Sequence, residues 1–98
     1  MIVCEFSITP IGAGESVSAY VARCERIVRA SGLPHVLTPM GTVVEGEWDE
    51  VLSVVRACHM AVRADNRRVS TLIKIDDREG PGGRLTAKVR SVEEKLKG

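Results

Sequence analysis

Hydrophobic and polar positions alternate with period two from Ile2 to Thr9, with Ile2, Cys4, Phe6 and Ile8 on one side and Val3, Glu5, Ser7 and Thr9 on the other. Two-residue periodicity in β-forming residues predicts a half-buried strand. The run Pro10-Ile-Gly-Ala-Gly14 should end it, because proline offers no ladder donor and glycine permits a sharp turn. From Glu15 to Ser31 the spacing becomes helical. Val17, Tyr20, Val21, Cys24, Ile27 and Val28 share one face, and Arg23, Glu25, Arg26 and Arg29 share the other. Ser16 is the expected N-cap, and Gly32 supplies a left-handed stop.

His35 to Thr38 and Thr42 to Glu45 are short strands separated by Pro39-Met-Gly41, a connection short enough to imply an antiparallel hairpin. Gly46 then leads into a second helix. Its apolar stripe is expected to be Trp48, Val51, Leu52, Val55, Cys58, His59 and Val62, with acidic Glu47, Asp49 and Glu50 near the positive N-terminal end and Asn66 beyond the C-terminus. Arg67 to Asp76 alternates again: Val69, Thr71, Ile73 and Ile75 oppose Ser70, Leu72, Lys74 and Asp76. Asp77 to Gly83 contributes no core-forming residue and reads as a loop. Leu85 to Lys97 reads as a last helix with a narrow stripe of Val89, Val92 and Leu96, packed on the domain or on a neighbouring subunit.

The order β-α-β-β-α-β plus a C-terminal helix predicts an α+β, ferredoxin-like fold, with a four-stranded antiparallel sheet and two helices on one face. The first and third strands should lie in the centre, with the fourth beside the first. The uncovered face then mixes apolar Val3, Val43 and Leu72 with polar Glu5, Ser7, Glu45, Ser70 and Lys74. A fully solvated face has no need of the apolar members, so this face is expected to bind, above all to another copy of the chain.

At 98 residues the chain is expected to form one domain, residues 1–98. A net charge of +1 gives no single-sign field to gather nucleic acid or an anionic membrane surface, so neither is an expected partner. An aromatic content of 3% also leaves the sheet without the stacking platforms that an RNA-recognition sheet of this topology uses. Cys4, Cys24 and Cys58 are odd in number and widely spaced. They suit buried thiols in a reducing compartment better than a disulfide or zinc framework. No leader-like segment and no stretch of about 20 apolar residues occurs, so the chain is expected to be cytoplasmic, neither secreted nor embedded.

Glu45 is the most informative charge. It sits in a central strand, where an unpaired carboxylate is costly, so ligand recognition or subunit contact is expected of it. Glu5 and Glu45 together admit three readings: a structural ion pair involving Lys74, ligand recognition, or paired acid–base carboxylates. His59 reads as a satisfied core or interface histidine and His35 as solvated. Neither is accompanied by a recognisable nucleophile spacing. Gly12, Gly14 and Gly80-Pro-Gly-Gly83 lack the full dinucleotide or P-loop fingerprints and read as turns, although Gly12 to Ser16 precedes a helix N-terminus suited to an anion.

The run Pro39-Met-Gly-Thr-Val-Val-Glu-Gly-Glu-Trp48, with Ser7-Ile-Thr-Pro-Ile-Gly12, Glu15-Ser-Val-Ser-Ala-Tyr20 and Thr71-Leu-Ile-Lys-Ile-Asp-Asp-Arg78, resembles the small thiamine-binding protein family (YqgV-like) over nearly the whole chain. The resemblance implies a ferredoxin-like subunit that assembles through its sheets into dimers and then tetramers. It also implies binding of thiamine or its hydroxymethylpyrimidine moiety without catalysis. The motif positions that carry over are Ser7, Pro10, Thr42, Glu45, Gly46 and Trp48, and Glu5 joins them as a carboxylate suited to a cationic thiazolium. An aminopyrimidine presents an amine donor and ring-nitrogen acceptors that a carboxylate and hydroxyls such as Ser7 and Thr42 can satisfy. No catalytic residue, metal ligand or cofactor is implied. The alternative is a regulatory or scaffold oligomer with no dedicated small-molecule ligand.

Overall fold

A computed structural model describes the chain apart from Ala13, Glu15, Ser16, Pro81, Gly98 and the side chain of Lys88. The elements are β1 (Ile2–Pro10), α1 (Ser18–Ser31), β2 (His35–Thr38), β3 (Gly41–Gly46), α2 (Trp48–Arg63), β4 (Val69–Asp77) and α3 (Arg84–Lys97). The strands form one antiparallel sheet in the order β2-β3-β1-β4, which is the expected ferredoxin-like arrangement with an added C-terminal helix. Among the described residues no helix is long and apolar enough to cross a membrane.

The period-two pattern of β1 determines the layering. Ile2, Cys4 and Phe6 are buried against the helices, where they meet Val44 from β3, Cys24 and Val28 from α1, and Val51, Val54, Val55, Cys58 and Val62 from α2. Burying each such aliphatic side chain stabilises the fold by roughly 1.5–3 kcal/mol relative to exposure. The opposite face carries Glu5, Leu72 and Lys74, all exposed, and Leu72 retains 72% of its accessible surface.

Several details depart from the expected pattern. Pro10 is not beyond the strand but is its last, buried residue, opposite Val69 on β4. It is tolerated because β3 pairs with β1 only as far as Phe6, so no ladder donor is demanded of Pro10 from that side. Trp48 does not enter the core. As the first residue of α2 it is 48% exposed, and Val54 fills the stripe instead. His35 is not freely solvated: its Nδ1 lies 2.9 Å from the Leu33 carbonyl and its Nε2 3.5 Å from Glu25 Oε1. His59 is satisfied as expected, with Nδ1 2.6 Å from Thr71 Oγ1. The expected N-cap Ser16 and part of the Gly12–Ser16 turn lie outside the described residues, as does Pro81 of the later glycine run.

Gly32 ends α1 at φ 74°, and its N–H donates to the Arg29 carbonyl at 3.2 Å. Pro39 and Met40 form the two-residue turn between β2 and β3. The turn is organised by Thr38, whose Oγ1 accepts from the Met40 and Gly41 N–H groups, each at 3.2 Å, and donates to the Gly41 carbonyl at 2.9 Å. Immediately after it, a Cβ on Gly41 would stand 2.7 Å from the Phe6 carbonyl oxygen, so the hairpin approaches β1 too closely for any side chain there. Gly41→Ala is expected to destabilise the protein by about 1–3 kcal/mol through this overpacking. A urea-unfolding midpoint equal to that of the wild type would show that β1 and the hairpin yield without cost.

Candidate functional site

β1 stays paired with β4 as far as Pro10↔Val69, but its pairing with β3 stops at Phe6↔Thr42. The edge of β1 from Ser7 onward therefore has no strand beside it on the β3 side. Its place is taken by a groove of ≈ 570 Å³ between β1, the β2–β3 turn and the start of α1. This is the size of a small-molecule pocket, typically ~300–1,000 Å³. Phe6 and Ile8 line it from the helix-facing side of β1, and Ser7 and Thr9 from the open side. Tyr20 and Cys24 contribute from α1, and Leu37 to Thr42 from the hairpin.

The polar groups of the groove are hydroxyls, and no lining residue carries a formal charge. Thr38 is committed to the turn. Among the described residues no hydrogen bond engages the side chains of Ser7, Thr9 or Thr42, although Thr42 is only 8% exposed. The Thr42 oxygen is open to the groove rather than sealed in the core, so it is free to donate and accept there. Tyr20 supplies an aromatic wall. Its ring carries the Arg23 guanidinium 5.3 Å from its centroid, and Arg23 is in turn fixed by Asp65 Oδ2 at 2.8 Å and the Ala61 carbonyl at 2.9 Å.

Glu45 is buried as expected, 2% exposed, and lies at a second position. Its Oε1 accepts the Gly83 N–H at 3.0 Å and its Oε2 the Arg84 N–H at 2.7 Å. Arg84 opens α3, so the carboxylate satisfies two of the amide donors that a helix leaves unpaired at its start and sits at the positive end of the helix dipole. The partner anticipated as a guest molecule or sister subunit is supplied here by the chain's own third helix. The first turn of α3 is thereby pinned over the open face of the sheet, and a second groove of ≈ 600 Å³ opens between them, lined by Met1, Val3 and Val43 opposite Leu85, Val89 and Val92.

Ser7 and Thr42 thus meet in one groove, while Glu45 caps α3. Glu5 is exposed on the open face directly opposite Lys74, with no ion pair between the two. Pro10 closes the end of β1, and Trp48 stands on the outside of α2. Tyr20, Thr38 and Cys24 were not among the anticipated site residues. Only the excess of β1 length over β3 length would have pointed to them.

A ferredoxin-like domain with a hydroxyl-lined groove of this volume has the dimensions of a small-molecule pocket. The comparisons narrow this: residues 4–93 match the family described as thiamine-binding protein, and the chain belongs to that family. It is 45% identical over 96 residues to a UPF0045 protein of Mycobacterium tuberculosis, covering 97% of this chain and 94% of that one. It is 39% identical over 102 residues to the UPF0045 protein YqgV of Bacillus subtilis, covering 98% of each. Among solved structures, protein MJ1052 of Methanocaldococcus jannaschii superposes with a TM-score of 0.87 at 35% identity, covering 95% of this chain and 96% of that one. A Thermotoga maritima protein described as a candidate thiamine biosynthesis/salvage protein shares the fold, with a TM-score of 0.76 at 17% identity over 91% of this chain and 97% of that one.

Glu45→Gln removes one of the two carboxylate acceptors and the charge. Loss of a charge-assisted hydrogen bond of this kind costs about 1.5–3 kcal/mol. Deuterium exchange at the Gly83 and Arg84 amides is expected to accelerate while β1 and α2 stay protected. Equal protection of those two amides in the variant would mean that α3 is held by something else.

Proposed function

We propose that this protein binds thiamine or its hydroxymethylpyrimidine moiety without catalysing its conversion, as a cytoplasmic homo-oligomer. The observation that carries the reading is the family match over residues 4–93, taken together with a groove of small-molecule size lined by the hydroxyls of Ser7, Thr38 and Thr42. The chemistry agrees. Ser7 and Thr42 can donate to ring nitrogens and accept from the exocyclic amine, and the pyrimidine ring fits between the Tyr20 and Phe6 side of the groove and the Met40 turn. Thiamine also carries a cationic thiazolium, and the groove lining has no anion to meet it. Glu5 is the nearest candidate. It points to the same side of β1 as Ser7, about 7 Å further along the strand, and is the reason to prefer the whole vitamin over the pyrimidine alone.

Self-association supports the other half of the reading. Val3 and Val43 lie partly buried on the open face, Leu72 is prominent on it, and α3 leaves Val89 and Val92 about half exposed and Leu96 80% exposed. A second subunit laid against this face would cover all of them. A scaffold oligomer with no dedicated ligand is the competing reading, and it gives the groove no role.

Titration calorimetry with thiamine and with hydroxymethylpyrimidine tests the ligand. Thr42→Val is expected to weaken binding about tenfold, the equivalent of ~1.4 kcal/mol, and Glu5→Gln to weaken thiamine but not the pyrimidine. Absence of heat with either compound at millimolar concentration overturns the ligand assignment. Leu72→Glu is expected to shift the native mass to that of a single subunit without unfolding it. An unaltered oligomer would move the interface off the sheet face.

A further inference from the structure

Cys24 and Cys58 face each other across the packed helices α1 and α2. Cys24 Sγ lies 3.8 Å from the Cys58 carbonyl oxygen and Cys58 Sγ 3.6 Å from the Cys24 carbonyl oxygen. Each sulfur thus reaches the other residue's backbone across the helix pair. A bridge between them requires their Cα atoms to hold about 4.4–6.8 Å apart. The two residues are not equivalent in access. Cys24 is 9% exposed and lines the groove beside β1, whereas Cys58 is completely covered on the α2 side.

We propose that Cys24 and Cys58 form a dithiol oxidation site for hydroperoxides, with Cys24 as the attacking thiol reached through the groove and Cys58 as the resolving thiol behind it. The electrostatics agree with this division. The hydrogen bond from Cys58 outweighs burial and lowers the Cys24 thiol from its ordinary range, helped by the Arg23 charge, while the same contact and burial push Cys58 upward. The direction of the two shifts favours Cys24 as the attacking thiol and Cys58 as the resolving one.

The step balances without any further reagent. With hydrogen peroxide, the Cys24 thiolate attacks one oxygen, an S–O bond forms, the O–O bond breaks, and hydroxide leaves to be protonated to water; an organic hydroperoxide releases its alcohol at this point instead. Cys58 then attacks the Cys24 sulfur, an S–S bond forms, the S–O bond breaks, and a second water departs with the Cys58 proton. Two thiols are oxidised by two electrons, and one peroxide is reduced to water. Cys4 serves as an internal control. It lies in β1, fully buried, and its thiol is pushed up by burial and then by the neighbouring Glu5 charge.

The test treats the reduced, folded protein with hydrogen peroxide and maps its peptides without reduction. The expected product is an intramolecular Cys24–Cys58 linked peptide, lighter by two hydrogen atoms and restored by dithiothreitol. It should form at least about tenfold faster than any Cys4 product, as thiolate character and access dictate. In Cys58→Ser, with folding checked by circular dichroism, dimedone is expected to trap a sulfenic acid at Cys24. Should that variant not fold, the wild-type map decides alone. A Cys24 thiol that survives while Cys4 reacts, a bridge joining two copies of the chain, or equal rates at Cys24 and Cys4 would each overturn the proposal.

Discussion

The central strand outruns its neighbour, and the groove exists because of that difference. β1 has nine residues and β3 six, and the last strand pair between them is Phe6↔Thr42. Had the hairpin extended by another few residues, Ser7 to Pro10 would be zipped into an ordinary ladder and the space would be filled with backbone. The turn is instead clamped by Thr38 and drawn against β1 at Gly41, which leaves a wall of hydroxyls and an aromatic ring around an unpaired strand edge.

The other face of the sheet is organised by a single carboxylate. Without α3, Glu45 would be a charge on a half-apolar surface. With α3, it becomes the anion beneath a helix N-terminus, and the cost of removing it from water is offset by two short hydrogen bonds and the helix dipole. The rest of α3 has little to hold it, as the exposure of Val89, Val92 and Leu96 shows. The helix is therefore anchored at its first turn and largely open along the remainder.

The sequence made the architecture legible because its periods are clean. β1 alternates between buried and more exposed residues from Ile2 to Phe6, α1 ends at a glycine that is left-handed in the structure, and the short connection at Pro39 left only an antiparallel hairpin. The burial of Glu45 was also legible, from a charge placed mid-strand beside valines. What the pattern did not reveal was its partner, because Gly83 and Arg84 act through backbone amides that leave no trace in side-chain chemistry. Trp48 misled because helical spacing aligns it with the stripe, whereas as the first residue of α2 it stays 48% exposed. The groove was hidden for another reason. It follows from where strand pairing stops, and pairing length depends on tertiary register, which no local window contains.

The Glu45 contact also has a lopsided tolerance for change. One side of it is a particular side chain, for which aspartate is too short and glutamine is uncharged. The other side is two peptide N–H groups, and they differ in what they tolerate. Gly83 adopts φ 81°, a left-handed conformation that strains any side chain, so position 83 is held to glycine, while position 84 needs only an N–H. A chain engineered to carry cargo at its C-terminus must therefore keep Glu45 and Gly83 together, and can be varied at position 84 to any residue but proline.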